Sequence, residues 1–576
     1  MMRWRADGKV LIRRVVRAGC AAALGAAVAS CAQSSPARTS LGAGAWPGAV
    51  TVASARVPGA PPAPADTAVY TQRGSNSRVG WNDHETVLNT RDVNARDFGR
   101  VAAFGVRGKI YSQPLFVPGL RIDGAEHNVV IVTTEDDQVY AFDADASGAG
   151  PALLWHTSFL VHGATPVPSV TTLHCPFITP SVSITGTPVI DRATDTMYLV
   201  TAVQVHGRIV DAVHALNITT GRDRIRPVII RASVRGTGTG SRRGVLPFDP
   251  EIANQHAALL LSHGVVYAAF SGYCGRAPDH GWVLGYDARD LRLAVVYNDT
   301  PDSIDGGIWQ SATGLVADGA GDIYLTTGNG PFNLASGGSS ASDSLLELRR
   351  DGGTLKVAGY FTPFYQQCMA ASDEDFSSGA PLLLRHEIIS VAKVGAFWVL
   401  NRDHLGGYHA IARPCSHLDD THVDRISQET RPQTVVGGVW GAETYWRDTV
   451  YTGGTGARLS AWRLAGGRIV LPAASRAPET LTYPGAIPVG SSDGARAATA
   501  IVWALDDEHG PALRAYAAGD LARELWNSRP GPAANRVPAF DNFTLPTVAD
   551  GRVYLGTSDE LLVYGLLGHG RGRHDD

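Results

Sequence analysis

"NVVIVTTEDDQVYAFD", residues 128–143, contains two short alternating runs of apolar residues separated by a polar turn. Alternation with a period of two is typical of half-buried β-strands. The Glu-Asp-Asp stretch between the runs supplies residues that favour a turn. These residues therefore predict a β-hairpin rather than a helix.

Similar hairpins recur along the chain, and each ends in a related five-residue strand. The copies lie about 48 to 74 residues apart, which suits a four-stranded blade with loops of variable length. In order they are VYAFD (139–143), VHALN (213–217), VLGYD (283–287), LLELR (345–349), FWVLN (397–401), LSAWR (459–463), LRAYA (513–517) and LLVYG (561–565). Helical periodicity is almost absent between them, so the prediction is an all-β, eight-bladed β-propeller rather than a β/α barrel.

The two ends of the repeat array predict how the ring closes. The last copy has little chain after it for an outer strand, whereas "GRVAAFGVRG" (99–108) precedes the first full blade. This N-terminal strand is predicted to complete the last blade and so remove the free edges of the ring. Seven blades remain the alternative, because copies such as LRAYA are weak.

The N-terminal residues predict export. Residues 1–31 combine a basic start with a short apolar stretch, as in a signal peptide. "VASC" (28–31) resembles the bacterial lipobox, so Cys31 is predicted to be lipidated and to anchor a periplasmic lipoprotein. Ordinary cleavage nearby, with Cys31 unmodified, is the alternative. Residues 32–66 predict a disordered Ala/Pro/Gly tether, 67–568 the propeller, and 569–576 a polar tail.

Charge and cysteine content limit the possible partners and compartment. The chain has 50 Lys and Arg against 54 Asp and Glu and no basic run in its body, so a nucleic-acid partner is not expected. A monomer is expected. The even number of cysteines beyond the N-terminal region predicts two disulfides in an oxidising compartment. Three pairings are open, and proximity in sequence favours Cys175 with Cys274 and Cys368 with Cys415.

The repeat resembles that of a known family. "QVYAFDADASG", followed by "LLW" at 153–155, resembles the repeat of the eight-bladed quinoprotein propellers, which include dehydrogenases that use pyrroloquinoline quinone (PQQ). The resemblance is closer still to uncharacterised exported bacterial proteins with PQQ-type repeats, and covers nearly all of residues 80–567. It implies the propeller fold but no particular activity.

The resemblance also implies a cofactor site. In these dehydrogenases the quinone lies on a Trp, and a calcium ion beside it takes oxygens from a Glu, an Asn and an Asp. Trp309 in "GGIWQSATG" resembles the floor residue, and Asn329 in "TTGNGPFN" resembles the calcium ligand. Asp373 or Asp375 in "ASDEDFSSG" would be the catalytic base, with Asp373 as a further metal ligand, and Lys393 would hydrogen-bond the quinone.

Each of these residues also has a purely structural interpretation. Trp309 could be a core aromatic residue and Asn329 a turn former, while the acidic run and Lys393 could lie on the solvated surface. Two departures from the family pattern favour this second interpretation. No carboxylate occurs between Asp195 and Asp211, where the family's Glu falls, and no adjacent cysteine pair exists.

Calcium affinity falls when charged ligands are removed. The sequence therefore predicts a non-catalytic or degenerate binding propeller of the cell envelope, with a protein partner. A PQQ- and calcium-dependent alcohol or sugar dehydrogenase is the alternative.

Overall fold

The predicted hairpins are present as antiparallel β-sheets that follow one another along the chain. The computed structural model describes residues 63–146, 152–411, 415 and 423–567, together with the backbone of Val50–Ala53. Each of the repeated pentapeptides lies in a strand, including LRAYA, and the hairpin of residues 128–143 pairs in register from Val129 with Asp143 to Thr134 with Gln138. The all-β prediction is confirmed.

Sheets 1 and 2 are formed by residues before 230. In hydrogen-bonded order, sheet 1 contains Val50–Ala53, Leu153–Ser158, Gln138–Asp143, Ala125–Thr134 and Leu115–Ile122. Sheet 2 contains Asp223–Ile229, Arg208–Asn217, Thr196–Val205, Thr165–Pro168 and Ser181–Val182, and Val189–Asp191 also pairs with its central strand. Val50–Ala53 lies within the range predicted as a tether and pairs with Leu153–Ser158 at the edge of sheet 1.

Sheet 3 is longer than a single blade. Its order is Ala253–Asn254, Val265–Gly272, Trp282–Asp287, Leu293–Asn298, Thr354–Thr362, Leu345–Asp351, Ile323–Thr326 and Val316–Ala317, with Leu260–Ser262 and Gly407–Tyr408 off this path. Its two antiparallel halves join through one parallel pair, Val296 with Thr354. A separate ribbon, Ser233–Arg235 with Val245–Pro247, precedes it.

The remaining sheets complete the array. Sheet 4 contains Leu382–Leu383, Glu387–Val391, Phe397–Asn401 and Gln428–Glu429; sheet 5 contains Thr444–Trp446, Thr449–Thr452, Arg458–Ala465, Arg468–Ile469 and Ser475–Thr480. Sheet 6 contains Trp81–Asn82, Val489–Ser491, Ile501–Asp506, Ala512–Ala517 and Asp520–Asn527; sheet 7 contains Phe98–Gly105, Glu560–Leu566, Arg552–Gly556 and Thr547–Ala549. Phe98–Gly105, the strand predicted to complete the last blade, thus pairs with Glu560–Leu566.

Helices are short and lie in connections. The described residues form one α-helix, Gln366–Ser372, and short 3₁₀ turns at Ala65–Thr67, Tyr273–Gly275, Leu334–Ser336, Phe376–Ser378, Ala497–Thr499 and Ala533–Asn535. None of the helices in the described part of the chain is long and apolar enough to span a bilayer.

The hydrophobic core lies between neighbouring sheets rather than in one central cluster. One buried cluster joins side chains of sheets 1, 2 and 7, and another joins those of sheets 6 and 7. Trp155 of sheet 1 is almost fully buried and its Nε1 donates a hydrogen bond to the Ile218 carbonyl at 2.8 Å. Burial of such large side chains stabilises the contact between adjacent sheets.

Residues 70–84, named here the inner segment, link several sheets through hydrogen bonds. The Tyr70 carbonyl accepts from Ile190 N of sheet 2, and the Asn76 carbonyl accepts from Ala317 N of sheet 3. The Val79 carbonyl accepts from Tyr445 N of sheet 5. Further along, Trp81–Asn82 forms part of sheet 6.

Two buried arginines attach the inner segment to the surrounding carbonyls. Arg78 donates to the carbonyl oxygens of Leu259 and Leu315, at 2.9 and 3.3 Å. Arg73 donates to the carbonyls of Glu443 and Pro488. The Arg73 guanidinium therefore binds carbonyls next to strands of sheets 5 and 6, whereas Arg78 binds two carbonyls next to strands of sheet 3.

Candidate functional site

A cavity of about 410 Å³ opens beside Trp309 and is named here the Trp309 cavity. Its lining brings together the residues that the sequence predicted as a cofactor site: Trp309, Asn329, Asp373, Asp375 and Lys393. They come from four separate segments of sheets 3 and 4 and their connections. A larger open groove of about 630 Å³, beside His509 and Arg529, contains none of them.

The Gly-Asn-Gly turn holds Asn329 against the acidic segment. The Asn329 backbone N–H donates to Asp375 Oδ1 at 3.0 Å, and its Nδ2 donates to Asp373 Oδ1 at 3.0 Å. A Cβ at Gly328 would lie 2.7 Å from Asp375 Oδ1, so this close approach needs glycine. The positive φ of the turn, 147°, belongs to Gly330 and not to Asn329. The turn does not require Asn329 for its backbone conformation.

Lys393 is a buried residue of the cavity and not a surface lysine. Its Nζ lies 3.0 Å from Asp373 Oδ1 and also contacts Asp375 Oδ2. The same ammonium group lies 4.6 Å from the centroid of the Trp440 ring. Burial lowers the pKa of Lys393, but Asp375 and Asp373 more than offset this effect and the pKa is raised. Lys393 is therefore a permanent positive charge in the site.

The two candidate bases differ in their surroundings. Asp375 uses both carboxylate oxygens, one for the Asn329 backbone N–H and one for Lys393, and its side chain is only 14 % exposed. The Asp373 side chain is 80 % exposed and follows the α-helix in a left-handed conformation, which Asp tolerates. Burial of its surroundings raises the pKa of Asp373, Lys393 opposes this effect, and Asp375 adds to it. Asp373 is the more accessible base.

Trp309 is half-buried and borders the cavity, so it is not a core aromatic residue. Its backbone carbonyl lies 3.2 Å from His256 Nδ1, and His256 Nε2 lies 2.9 Å from the Tyr111 hydroxyl. Because a carbonyl only accepts, Nδ1 carries the proton and Nε2 accepts from Tyr111. Burial lowers the pKa of His256 to about 4, so the imidazole is neutral at pH 7. The sequence interpretation missed both His256 and Tyr111.

A disulfide and several aromatic rings complete the walls. Cys175 and Cys274 are bonded and both line the Trp309 cavity, while Cys368 is bonded to Cys415. The favoured pairing is therefore confirmed. The cavity thus has a disulfide in its wall although the chain lacks adjacent cysteines. The aromatic residues of the lining and rim are Tyr111, Phe177, Tyr273, Trp309, Trp440, Tyr483 and Phe543.

Two further acidic residues of the cavity, Asp279 and Asp305, had no role in the sequence interpretation. Asp305 N donates to the Asp279 carbonyl at 2.9 Å, and Gly306 N donates to the Asn329 carbonyl at 2.7 Å. Burial and then the neighbouring Asp305 raise the pKa of Asp279 to about 8. No motif marks these residues, because their proximity arises from pairing between distant connections.

The lining of the Trp309 cavity contains groups that could contact PQQ and groups that could bind calcium. Trp309 and the Cys175–Cys274 disulfide provide apolar walls for a flat ring, and the carboxylates with Asn329 provide oxygen ligands for a hard cation. Four carboxyl side chains and one lysine line the described part of the cavity. A tricarboxylate cofactor would be repelled by this excess of negative charge unless a cation were bound with it. The residues fit the pair of cofactor and cation, but not the cofactor alone.

No group of three or more Asp, Glu, His or Cys side chains with metal-site geometry occurs among the residues that the structure describes. Strand Thr196–Val205 of sheet 2 carries no carboxylate, so the residue expected there from the family pattern is absent. A cation in the Trp309 cavity would therefore need ligands other than the set implied by the resemblance.

Comparison with solved structures identifies the fold. The quinohemoprotein alcohol dehydrogenase from Comamonas testosteroni matches with a TM-score of 0.55 and 13% identity, over 87% of this chain and 81% of that chain. A europium-containing methanol dehydrogenase matches with a TM-score of 0.55 and 13% identity, over 87% of this chain and 98% of that chain. These similarities confirm a β-propeller of the kind found in quinoprotein dehydrogenases.

A weaker structural match and the two sequence comparisons do not identify a function. BamB from Moraxella catarrhalis matches with a TM-score of 0.47 and 13% identity, over 81% of this chain and 99% of that chain. No family model matches the chain, and no curated protein matches it. The identity of 13% shows a shared fold, so activity has to be inferred from the Trp309 cavity itself.

Proposed function

We propose that this chain is a quinoprotein-type oxidoreductase that binds PQQ and a cation in the Trp309 cavity and oxidises an alcohol or a sugar. One observation supports this proposal above the others. Trp309, Asn329, Asp373, Asp375 and Lys393 converge on a single cavity, although 84 residues separate the first from the last. Surface acids and a core tryptophan would have no reason to meet in this way.

The residues of the cavity have distinct roles in this proposal. When bound, PQQ supplies the oxidant and the cation beside it supplies a Lewis acid. Asp373 accepts the proton of the substrate hydroxyl, because its carboxylate is accessible and burial of its surroundings raises its pKa and so its basicity. Asp375 positions Asn329 and Lys393 through its two oxygens. Lys393 holds Asp373 in place and provides positive charge near the anionic cofactor.

The neutral His256 links the floor of the cavity to its wall. It bonds the Trp309 carbonyl on one side and the Tyr111 hydroxyl on the other. This bridge orients Trp309 without adding charge, since the pKa of His256 is lowered by burial. We assign His256 and Tyr111 a positioning role.

The proposal includes eight blades and closure of the ring by Phe98–Gly105. Treating the two halves of sheet 3 as separate blades supports the count, because only Val296 and Thr354 pair between them. The pairing of Phe98–Gly105 with Glu560–Leu566 supports closure. Counting sheet 3 as one blade would give seven.

Export and lipid anchoring also belong to the proposal. The two disulfides support an oxidising compartment such as the periplasm. The signal peptide 1–31, lipidation of Cys31 and the tail 569–576 lie outside the described residues and stay predictions, as do the monomeric state and the propeller boundaries 67–568.

A non-catalytic envelope propeller is the second candidate. Phe177 and Tyr483, which are 59% and 40% exposed at the cavity, favour it because exposed aromatic residues are enriched at protein interfaces. Binding of a protein partner at this face would cover them.

Ligand binding separates the two candidates. We expect PQQ with calcium at micromolar concentration to raise the thermal midpoint of the purified protein and to quench its tryptophan fluorescence, because a ligand stabilises the native state by mass action. Asn329→Ala should abolish both effects, whereas Asn89→Ala, at a residue that does not line the cavity, should retain them. No effect in the wild-type protein would contradict the oxidoreductase proposal and favour the scaffold.

A further inference from the structure

Two buried oxygen atoms in the Trp309 cavity lack hydrogen-bond donors. They are Asp279 Oδ1 and Asn329 Oδ1. Asp279 is only 5% exposed. A buried acceptor without a donor destabilises the folded state. Such atoms usually bind a donor, a water molecule or an ion.

The backbone places Asp305 between these two residues. Its N–H donates to the Asp279 carbonyl at 2.9 Å, and the next residue, Gly306, donates to the Asn329 carbonyl at 2.7 Å. Hydrogen bonds therefore join three neighbouring backbone segments, at Asp279, Asp305–Gly306 and Asn329. Each contributes one oxygen-bearing side chain to the cavity.

The charges of this group are not balanced by a nearby cationic side chain. Burial, a side-chain hydrogen bond with Asp305 and then repulsion from Asp305 raise the pKa of Asp279, so repulsion opposes the ionisation of both carboxyl groups in the absence of a cation. Lys393 is engaged with Asp373 and Asp375 and is the one lysine or arginine in the described lining. A bound cation would relieve the repulsion and satisfy both oxygen atoms that lack donors.

We propose that the carboxylates of Asp279 and Asp305, together with the amide oxygen of Asn329, bind a hard divalent or trivalent cation in the Trp309 cavity. Hard cations take several oxygen ligands from carboxylates, amides and water. Two carboxylates and one amide leave positions for water or a bound ligand, so no third carboxylate is needed. Asp279 and Asp305 thereby replace the charged ligand that strand Thr196–Val205 lacks.

This inference rests on the proposed function only for the identity of the neighbouring ligand, so cation binding can be measured without PQQ. The probes are Ca²⁺ by isothermal titration calorimetry and Tb³⁺ by luminescence sensitised by nearby tryptophan. Wild-type protein should bind one ion. Asp279→Asn and Asp305→Asn should each weaken binding on the order of tenfold or more, because each removes a charged ligand.

Controls distinguish ligand loss from misfolding and from general electrostatics. Asparagine has the shape of a protonated carboxyl, so both variants should keep the wild-type circular dichroism spectrum. Asp290→Asn removes an exposed carboxylate outside the cavity and should leave the affinity unchanged. Weakening by Asp290→Asn equal to that by Asp279→Asn would overturn the proposed ligand set.

Two other results would also overturn the inference. If Asp279→Asn and Asp305→Asn bind the ion as the wild type does while Asp373→Asn does not, the ion lies elsewhere in the cavity and the proposed function still stands. If the wild type binds no ion, the Asp279 and Asp305 pair shares a proton instead. The thermal shift with PQQ and calcium added together then decides the proposed function separately.

Discussion

The order and spacing of Trp309, Asn329, Asp373 and Lys393 predicted that these residues belong to one site, and they do share one cavity. Their roles stay predictions. Asp279 could not be found in the same way, because nothing in "APDHGW" resembles a ligand motif. Its nearness to Asn329 depends on contacts between distant connections, which periodicity and local motifs do not encode.

The two candidate bases, Asp373 and Asp375, should respond differently to substitution by asparagine. Asp373→Asn should lower kcat by about 10²-fold or more with PQQ binding retained, because it removes the proton acceptor but keeps the shape of the side chain. Asp375→Asn should weaken PQQ binding as well, since Asp375 positions both Asn329 and Lys393.

Steady-state kinetics with an alcohol substrate, together with a PQQ titration of each variant, measure the two effects. Asp302→Asn, an exposed aspartate that does not line the Trp309 cavity, is the matched control and should behave as the wild type. Full activity of Asp373→Asn would show that another group is the base.

The repeated hairpins were predictable because each one contains its own alternation of apolar and polar residues and its own turn residues. The inner segment was not, because it lacks such alternation and its stability comes from contacts made with several sheets. Arg73 and Arg78 look like surface arginines in the sequence, yet both are nearly fully buried. Only the packing of the sheets in the folded chain shows the carbonyl groups that they bind.

Arg78 of the inner segment is expected to contribute to the stability of the fold. Arg78→Met should destabilise the protein by about 3–5 kcal/mol, because it leaves the buried carbonyls of Leu259 and Leu315 without a donor. Urea unfolding followed by tryptophan fluorescence measures the loss. Arg91→Met, at a side chain that is 87% exposed, should change stability by less than about 0.5 kcal/mol. Equal stability of the two variants would show that the hydrogen bonds of Arg78 do not stabilise the fold.

For the molecule as a whole, the recurring hairpins predicted a propeller but did not predict the boundaries between its blades. In sheet 3, the strands Leu293–Asn298 and Thr354–Thr362 are joined by a single residue pair, Val296 with Thr354. Pairing of this kind between two blades cannot be recognised from the sequence repeat. The pairing of Phe98–Gly105 with Glu560–Leu566, in contrast, agrees with the partner that the sequence predicted for this strand.

The buried carboxyl groups predict how stability depends on pH. Burial raises the pKa of Glu135 and of Glu443 from 4.5 to about 8. The folded state therefore binds more protons than the unfolded state in this range, so the free energy of unfolding falls as pH rises from about 4.5 to about 8. Each group contributes a slope of up to about 1.4 kcal/mol per pH unit.

Urea unfolding at a series of pH values measures this dependence. Glu135→Gln and Glu443→Gln should each reduce the slope, whereas Glu126→Gln, at an exposed position, should leave it as in the wild type. A stability that rises between pH 5 and pH 8 would contradict the assignment of these carboxyl groups as protonated at neutral pH.

Isothermal titration calorimetry of the purified protein with PQQ, in calcium and again in EDTA, tests most directly whether the Trp309 cavity is a cofactor site. We predict one PQQ per chain with a dissociation constant in the micromolar range or below in calcium, and much weaker binding in EDTA, because the cavity lining carries excess negative charge. No binding of PQQ in calcium, or equal binding by Asn329→Ala, would contradict the assignment.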